Sequence, residues 1–335
     1  MRANRWNPRS RRGKWMALLL ALAATLFVAT SAGAADAGAA SGAQKTGGAQ
    51  KAGGAQKTFA SPEAAVEALV QAVKAHDRKA VLAVLGSASA DWITSGDAVA
   101  DHAAGERFVA AYEAKHAIKA DGDTAHLSVG DDDFPFAFPL VKTGDAWRFD
   151  TAAGKDELLA RRIGQNELNA IKVMQAIVDA ERDYASADRN GDGVLDYALK
   201  FASSAGKKDG LYWPTKEGEP QSPLGPLVAT AAGEGYGGKK GAGPQPYHGY
   251  YYRMLKGQGA NAQGGALDYA IRGHAIGGFA VVAYPAKYGN SGIMTFIVNQ
   301  DGRVFQADLG PNSAAIARKM QRFDPGKGWT PVNPK

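Results

Sequence analysis

The stretch that decides the fold is GGFAVVAYPAKYGNSGIMTFIVNQDGRVFQADLG, residues 277–310. Its apolar runs are rich in Val, Ile, Phe and Tyr and are bounded by Gly, Asn and Asp, the composition of strands separated by turns. Asn299, Gln300, Asp301 and Gly302 form the turn of a hairpin, with the glycine supplying a positive φ. Upstream, HGYYYRMLKG (248–257) and LDYAIRG (267–273) read as further strands, so four or five antiparallel strands are expected. Along the first of them Tyr250 and Tyr252 share one face and Tyr251 takes the other. NELNAIKVMQAIVDAERDYASAD (166–188) precedes them, with apolar residues at 168, 171, 174, 177, 178 and 184, a helical spacing. A Gly/Pro-rich stretch, 203–249, separates helix from strands. Residues 161–335 are thus expected to form a helix plus antiparallel sheet domain.

Further out, residues 59–160 read as a small α+β domain. Ser61 is the N-cap of a first helix and Pro62 its first residue, with Glu63 in the first turn; Ala64 stands where a reciprocal capping box would need Glu or Gln. AGERFVAAYEAKH (104–116) is a second helix. AHLSVG, FAFPLVKT and AWRFDT are short strands, the last two joined by a turn at Gly144 and Asp145. The fold class is α+β. Residues 36–58 repeat GAQK with a six-residue period and hold no aromatic or large aliphatic residue to bury, so they read as a flexible linker. Residues 1–35 combine a basic start, the apolar run MALLLALAATLFVA and small residues at SAGAADA, the pattern of a secretory signal peptide cleaved after Ala34 or Ala35. The alternative is an uncleaved anchor, the one route by which this chain would hold a membrane. The six basic residues of the leader account for the whole net charge of +6, so no nucleic-acid partner is implied. Cysteine is absent, which excludes disulfides, thiolate metal sites and a cysteine nucleophile.

The run DGLYWP…GE…SPLGPL…YHGYYYRMLKGQG…GGFAVVAYPAKYGNSGIMTFIVNQDGRVFQADLG resembles the bacterial family catalogued as domain of unknown function 2950, over most of the chain beyond the leader. That family carries no activity to transfer. The sheet also resembles those of type IV pilin-like and pseudopilin-like proteins, which set one long helix before an antiparallel sheet. This chain departs from them in lacking a pilin-type leader, so the resemblance implies a soluble module rather than a filament subunit. The order of helices and sheet in 59–160 resembles the cone-shaped nuclear-transport-factor-2-like fold.

The most chemically suggestive segment is DRNGDGVLDYA, 188–198. Counted as a calcium loop of the EF type, Asp188, Asn190 and Asp192 fill positions one, three and five, Gly193 sits at the sharp turn, Val194 offers its carbonyl and Asp196 a direct or water-mediated oxygen. Position twelve is Leu199, where a bidentate Glu belongs, so closure would need a distant carboxylate such as Asp209 or Glu217. The alternative is a helix C-terminal turn with Asn190 and Gly191 in the left-handed conformation. Calcium is the one cofactor suggested. GEGYGGKK (233–240) ends in Lys240 where a phosphate-binding loop needs Ser or Thr, and no strand precedes it. SAGK (204–207) has the serine–x–x–lysine spacing of penicillin-recognising enzymes without their later motifs in order, and YGNSG around Ser291 lacks the spacing of a nucleophile elbow.

Two histidines, His248 and His274, sit near the expected sheet, each a general base if a carboxylate is in reach. Tyr212, Trp213, Tyr250 and Tyr252 are either core or an aromatic platform for a partner. With no complete catalytic set, the chain reads as an exported, non-catalytic envelope protein, periplasmic or extracellular, that binds a protein or glycan. The alternatives are a periplasmic hydrolase built on His248 or His274, and a component of a secretion or pilus-like system.

Overall fold

The computed structural model describes residues 55–237 and 244–332. The leader, nearly all of the repeat linker and the end of the GEGYGGKK segment lie outside the described residues. The described residues belong to one compact unit and are α+β. Among its described residues no helix is long and apolar enough to cross a membrane.

The chain is already fixed at Gln56, inside the segment expected to be linker: its side-chain amide donates to Val84 O (3.0 Å) and Phe149 O (2.9 Å). Helix α1 (Pro62–Lys74) starts as its sequence predicts, with Ser61 Oγ accepting from Ala64 N at 3.2 Å. It packs with α2 (Arg78–Leu85) and α3 (Ala98–Ala114) on a sheet of β1 (His116–Asp121), β2 (Thr124–Val129), β3 (Phe134–Pro135), β4 (Leu140–Thr143) and β5 (Ala146–Phe149). The strand order is β1-β2-β4-β5, all antiparallel, with β3 pairing β2. Leu69, Val70, Leu127, Leu140 and Phe149 are the centre of this core. Gly144 takes φ +61 in the β4–β5 turn, as expected. The strand expected over 136–143 covers only its last four residues, because Phe136–Pro139 bends instead of pairing with β5.

Helix α4 runs unbroken from Thr151 to Ala185. It starts fifteen residues before the predicted Asn166, so the boundary read at 160/161 falls inside it. Asp150 caps it through Ala153 N (3.1 Å), and Gly154 lets it approach the first sheet, since a Cβ there would lie 2.2 Å from Ala137 O. Its first half is polar and shows no apolar stripe, which hid it in the sequence.

The second half of α4 covers one face of a sheet ordered β13-β11-β10-β9-β6, every neighbour antiparallel. The strands are β6 (Tyr250–Leu255), β9 (Ala280–Pro285), β10 (Met294–Asn299), β11 (Phe305–Asp308) and β13 (Thr330–Pro331). Strand alternation divides the core: Tyr250, Val281, Ala283, Phe296 and Val298 face α4. Ala280, Val282, Tyr284 and Ile297 face the opposite layer, where the short helix Ser313–Lys319 lies. A second small sheet, β12-β7-β8, joins β7 (Gly257–Gln258), β8 (Leu267–Asp268) and β12 (Arg322–Phe323). The β10–β11 connection is the predicted turn, with Gly302 at φ +77 donating to Asn299 O at 2.9 Å.

A polar seam binds the two halves. Arg162 donates to Trp92 O (2.8 Å), Ile93 O (2.9 Å) and Asn290 Oδ1, while Asn290 Nδ2 donates to Thr94 O (2.9 Å). Glu167 Oε1 accepts Ile293 N (2.9 Å) and Met294 N (3.0 Å), and Asn166 Nδ2 donates to Ser291 O (2.9 Å). These groups are largely buried, so their bonds fix the two halves in one arrangement.

Candidate functional site

The loop after α4 builds itself from its own amides. Asp188 Oδ1 accepts Gly191 N (2.7 Å) and Asp192 N (3.2 Å), and Oδ2 accepts Gly193 N (2.9 Å). These N–H donors, Gly193 first, hold the Asp188 carboxyl below its usual range. Asn190 Oδ1 accepts Asp192 N (3.1 Å) and Asp192 Oδ1 accepts Val194 N (2.9 Å). Gly191 and Gly193 take φ +78 and +85. Asn190, expected in the left-handed conformation in the simple-turn reading, is not among the positive-φ residues; the second glycine takes that part, at lower steric cost.

Of the two distant carboxylates that could close the loop, Asp209 is already engaged. Asp209 is ion-paired to Lys200 (2.9 Å) and accepts Ser204 N (2.7 Å), which draws its carboxyl down to about 2. Glu217 is exposed in a separate turn. Leu199, at position twelve, is 50% exposed.

What meets the loop instead is His274. Arg272 and Gly273 form a two-residue turn with φ +52 and +91, closed by Ile271 N to His274 O (2.9 Å) and His274 N to Ile271 O (3.0 Å). Positive φ at both central residues is the geometry of a type I′ hairpin. It presents His274 Nδ1 to Asp196 Oδ2 at 3.3 Å and Asp192 Oδ2 at 3.5 Å. Tyr197 N donates to Ala275 O (3.2 Å), fastening the two segments together.

Behind this group lies Glu181, from α4. It is fully buried; Oε2 accepts Ala198 N at 2.9 Å, and Oε1 has no partner. Burial pushes its carboxyl up to about 8, the charge of nearby Asp196 adds to the shift, and the Ala198 amide opposes it. Sequence reading passed over Glu181, yet the signal was there: it continues the stripe of Met174, Ile177 and Val178, where a charged residue is out of place.

His248 sits in a matching turn. His248 and Gly249 take φ +50 and +76 between the paired residues Tyr247 and Tyr250. Its Nε2 lies 3.4 Å from Glu234 Oε2, and burial lowers its pKa despite the attraction of Glu234 and Asp97. Below the turn, buried Asp97 is fully used: Oδ1 accepts Ala100 N (3.1 Å), and Oδ2 accepts Tyr236 OH (2.9 Å) and Gly249 N (2.9 Å). This end is part of the seam between the halves.

The aromatic platform considered in the sequence is core. Tyr250 is fully buried, its OH donating to Met294 O (3.0 Å), and Trp213 is 8% exposed against Tyr184. Tyr212 and Tyr252 are partly buried against the same core. The reason is alternation: Tyr250 and Tyr252 take the face that α4 covers, while Tyr251 takes the other. Ser204 of SAGK meets Lys200 Nζ (2.7 Å), and Lys200 is itself held by Asp209.

Of the eight exposed large apolar side chains among the described residues, four flank the loop and its hairpin turn in the chain. Leu195 (62%), Leu199 (50%), Ile271 (46%) and Ile276 (53%) sit on the two segments that His274 and the Tyr197–Ala275 bond draw together. Beside Leu199 a small apolar crevice opens between Met254, Tyr269 and Phe279.

A family model described as "Protein of unknown function (DUF2950)" matches residues 56–332. The chain belongs to that family. The matched span begins at Gln56, where the described chain is first anchored, and ends at Val332, whose N–H pairs with Val304 O (2.8 Å). No curated protein and no solved structure matches the chain.

Proposed function

We propose that this protein is an exported, non-catalytic component of the cell envelope that binds a protein partner through the loops around His274. The observation that carries this reading is the set of four exposed aliphatic side chains, Leu195, Leu199, Ile271 and Ile276, on two mutually fastened segments. Exposed apolar side chains that share one locality are a mark of interaction surfaces, and a scaffold fixed before binding loses less entropy on association. The side chains are aliphatic, which suits an apolar protein surface; glycan binding would favour exposed aromatics, and the tyrosines and tryptophan once considered for that task are in or against the core. Export is supported by the leader pattern in residues 1–35.

A hydrolase reading keeps a base in His248 or His274 but finds no hydroxyl nucleophile hydrogen-bonded to either imidazole among the described residues. The pilus-component reading rests on sheet resemblance alone, and fold does not fix function.

The test is photo-crosslinking in cells that express the full chain, with the reactive residue placed at 199, at 276, or at the exposed control Phe134. A discrete heterologous protein adduct from 199 and 276, absent from 134 and lost with Ile271→Asp, supports the proposal. Equal adducts from all three positions, or none from 199 and 276, overturns it.

A further inference from the structure

We propose that Asp192, Asp196 and His274 hold one divalent cation of the zinc class, which fastens the loop after α4 to the hairpin turn beneath it. Each of the three offers a donor atom, and those atoms lie within 4.8 Å of one another. The two Asp–His separations, 3.3 and 3.5 Å, fit a single ion. Tetrahedral bonds of roughly 2.0–2.1 Å put neighbouring donors about 3.3–3.4 Å apart.

The loop's own hydrogen bonds leave the right atoms over. Asp192 Oδ1 is taken by Val194 N, so Oδ2 is the oxygen it turns to His274. Both oxygens of Asp188 and the oxygen of Asn190 are engaged by amides. A nitrogen and two carboxylate oxygens suit zinc, which accepts imidazole and carboxylate together. Calcium takes six or more oxygens and has no use for the imidazole.

A second, independent observation is a buried oxygen left without a partner. Glu181 is fully buried, its Oε1 has no partner, and its Oε2 accepts the amide of Ala198, two residues along the chain from Asp196. Two carboxylates, of Asp192 and Asp196, thus meet one imidazole beside that buried segment. Two cations near the loop in the chain are engaged elsewhere: Arg189 pairs with Asp183 (3.0 Å) and Lys200 with Asp209 (2.9 Å). A bound cation would balance this group, with water completing its coordination. The inference stands apart from the partner reading: either can fail without the other.

The experiment is calorimetric titration of the chelator-stripped full chain with zinc chloride and, separately, calcium chloride, alongside thermal unfolding. The expected result is one equivalent of zinc bound at the wild-type site and a Tm raised by about 5 °C or more at a hundred-fold excess over Kd. His274→Ala, with an unchanged far-UV circular dichroism spectrum, should weaken zinc binding at least about 100-fold. His274→Gln and Asp192→Asn serve the same purpose if the alanine variant fails to fold. His102→Ala is the control, because His76 and His102 stack at 4.4 Å beside Glu106 and could hold zinc adventitiously. Zinc binding that survives loss of His274, disappears with His102, or is replaced by calcium binding indifferent to His274 overturns the proposal. So does a stripped wild-type protein that takes up no zinc.

Discussion

Two hairpin turns of this protein share one local design and serve different ends. His248–Gly249 and Arg272–Gly273 both take positive φ at both central residues, and both set a histidine against carboxylates. At the first turn, the buried acid Asp97 receives three donors, from Ala100 N, Tyr236 OH and Gly249 N. At the second, the buried acid Glu181 receives one and keeps an oxygen without a partner. A buried carboxylate with its donors supplied locks a structure; one left short marks a place where something else is needed. The first turn closes the seam between the halves, and the second lies among exposed aliphatic side chains.

The largest effect is expected at Asp97. Asp97→Ala strands the Tyr236 hydroxyl and the Gly249 amide and uncaps α3, so unfolding free energy should fall by about 3–5 kcal/mol in urea titrations. A change under about 1 kcal/mol would deny the seam its structural role.

Of similar size is the pH dependence set by Glu181. Its folded-state carboxyl is raised from 4.5 to about 8, so the folded protein keeps a proton that the unfolded chain sheds. The stabilisation from that proton is complete below about pH 4.5 and is lost as pH rises to about 8. In chelator, the wild type should lose up to about 1.4 kcal/mol per pH unit across that window relative to Glu181→Gln. Parallel pH profiles for the two proteins would show that Glu181 is ionised in the fold.

Gly249→Ala sharpens the same contrast by a smaller amount. Its Cβ would meet Asn166 Nδ2 at 2.5 Å and face φ +76, so a loss of about 1–3 kcal/mol is expected. Gly273→Ala is strained only by its φ of +91, since no atom lies within 4 Å, and should lose about 1 kcal/mol. Equal losses would mean that the first turn is no more tightly enclosed than the second. Smallest of all, Leu199→Asp should leave stability within about 0.5 kcal/mol, because the side chain is half exposed. A large loss there would make the aliphatic group core rather than surface.

The central sheet was legible because β9, Ala280–Pro285, is buried at every position and reads as one unbroken apolar run between glycines. The 299–302 turn and the split of Tyr250 and Tyr252 from Tyr251 followed from chain geometry in the same way. Less could be read where tertiary contacts decide. LDYAIRG reads as one strand, but only Leu267–Asp268 pairs as one, because a hairpin turn at Arg272–Gly273 interrupts it. Neither His-Gly nor Arg-Gly is the Asn-Gly pair that announces such turns, so both passed unseen. Strand β1 (HAIKAD) has too few large apolar residues to stand out. At the candidate site, Asp188 to Asp196 could be picked out by their spacing. His274 lies 78 residues from Asp196, and only folding brings it there.

The most direct test of the contrast is urea unfolding at pH 8, in chelator, of two near-isosteric variants, Asp97→Asn and Glu181→Gln. Asp97→Asn replaces an acceptor that serves three donors, whereas Glu181→Gln removes a buried ionisation and can keep the bond from Ala198 N. Opposite signs are expected: the first variant less stable than wild type, the second more stable by a few kcal/mol. Two variants destabilised alike would contradict it, and would make the loop around His274 as fully satisfied a structure as the seam around His248.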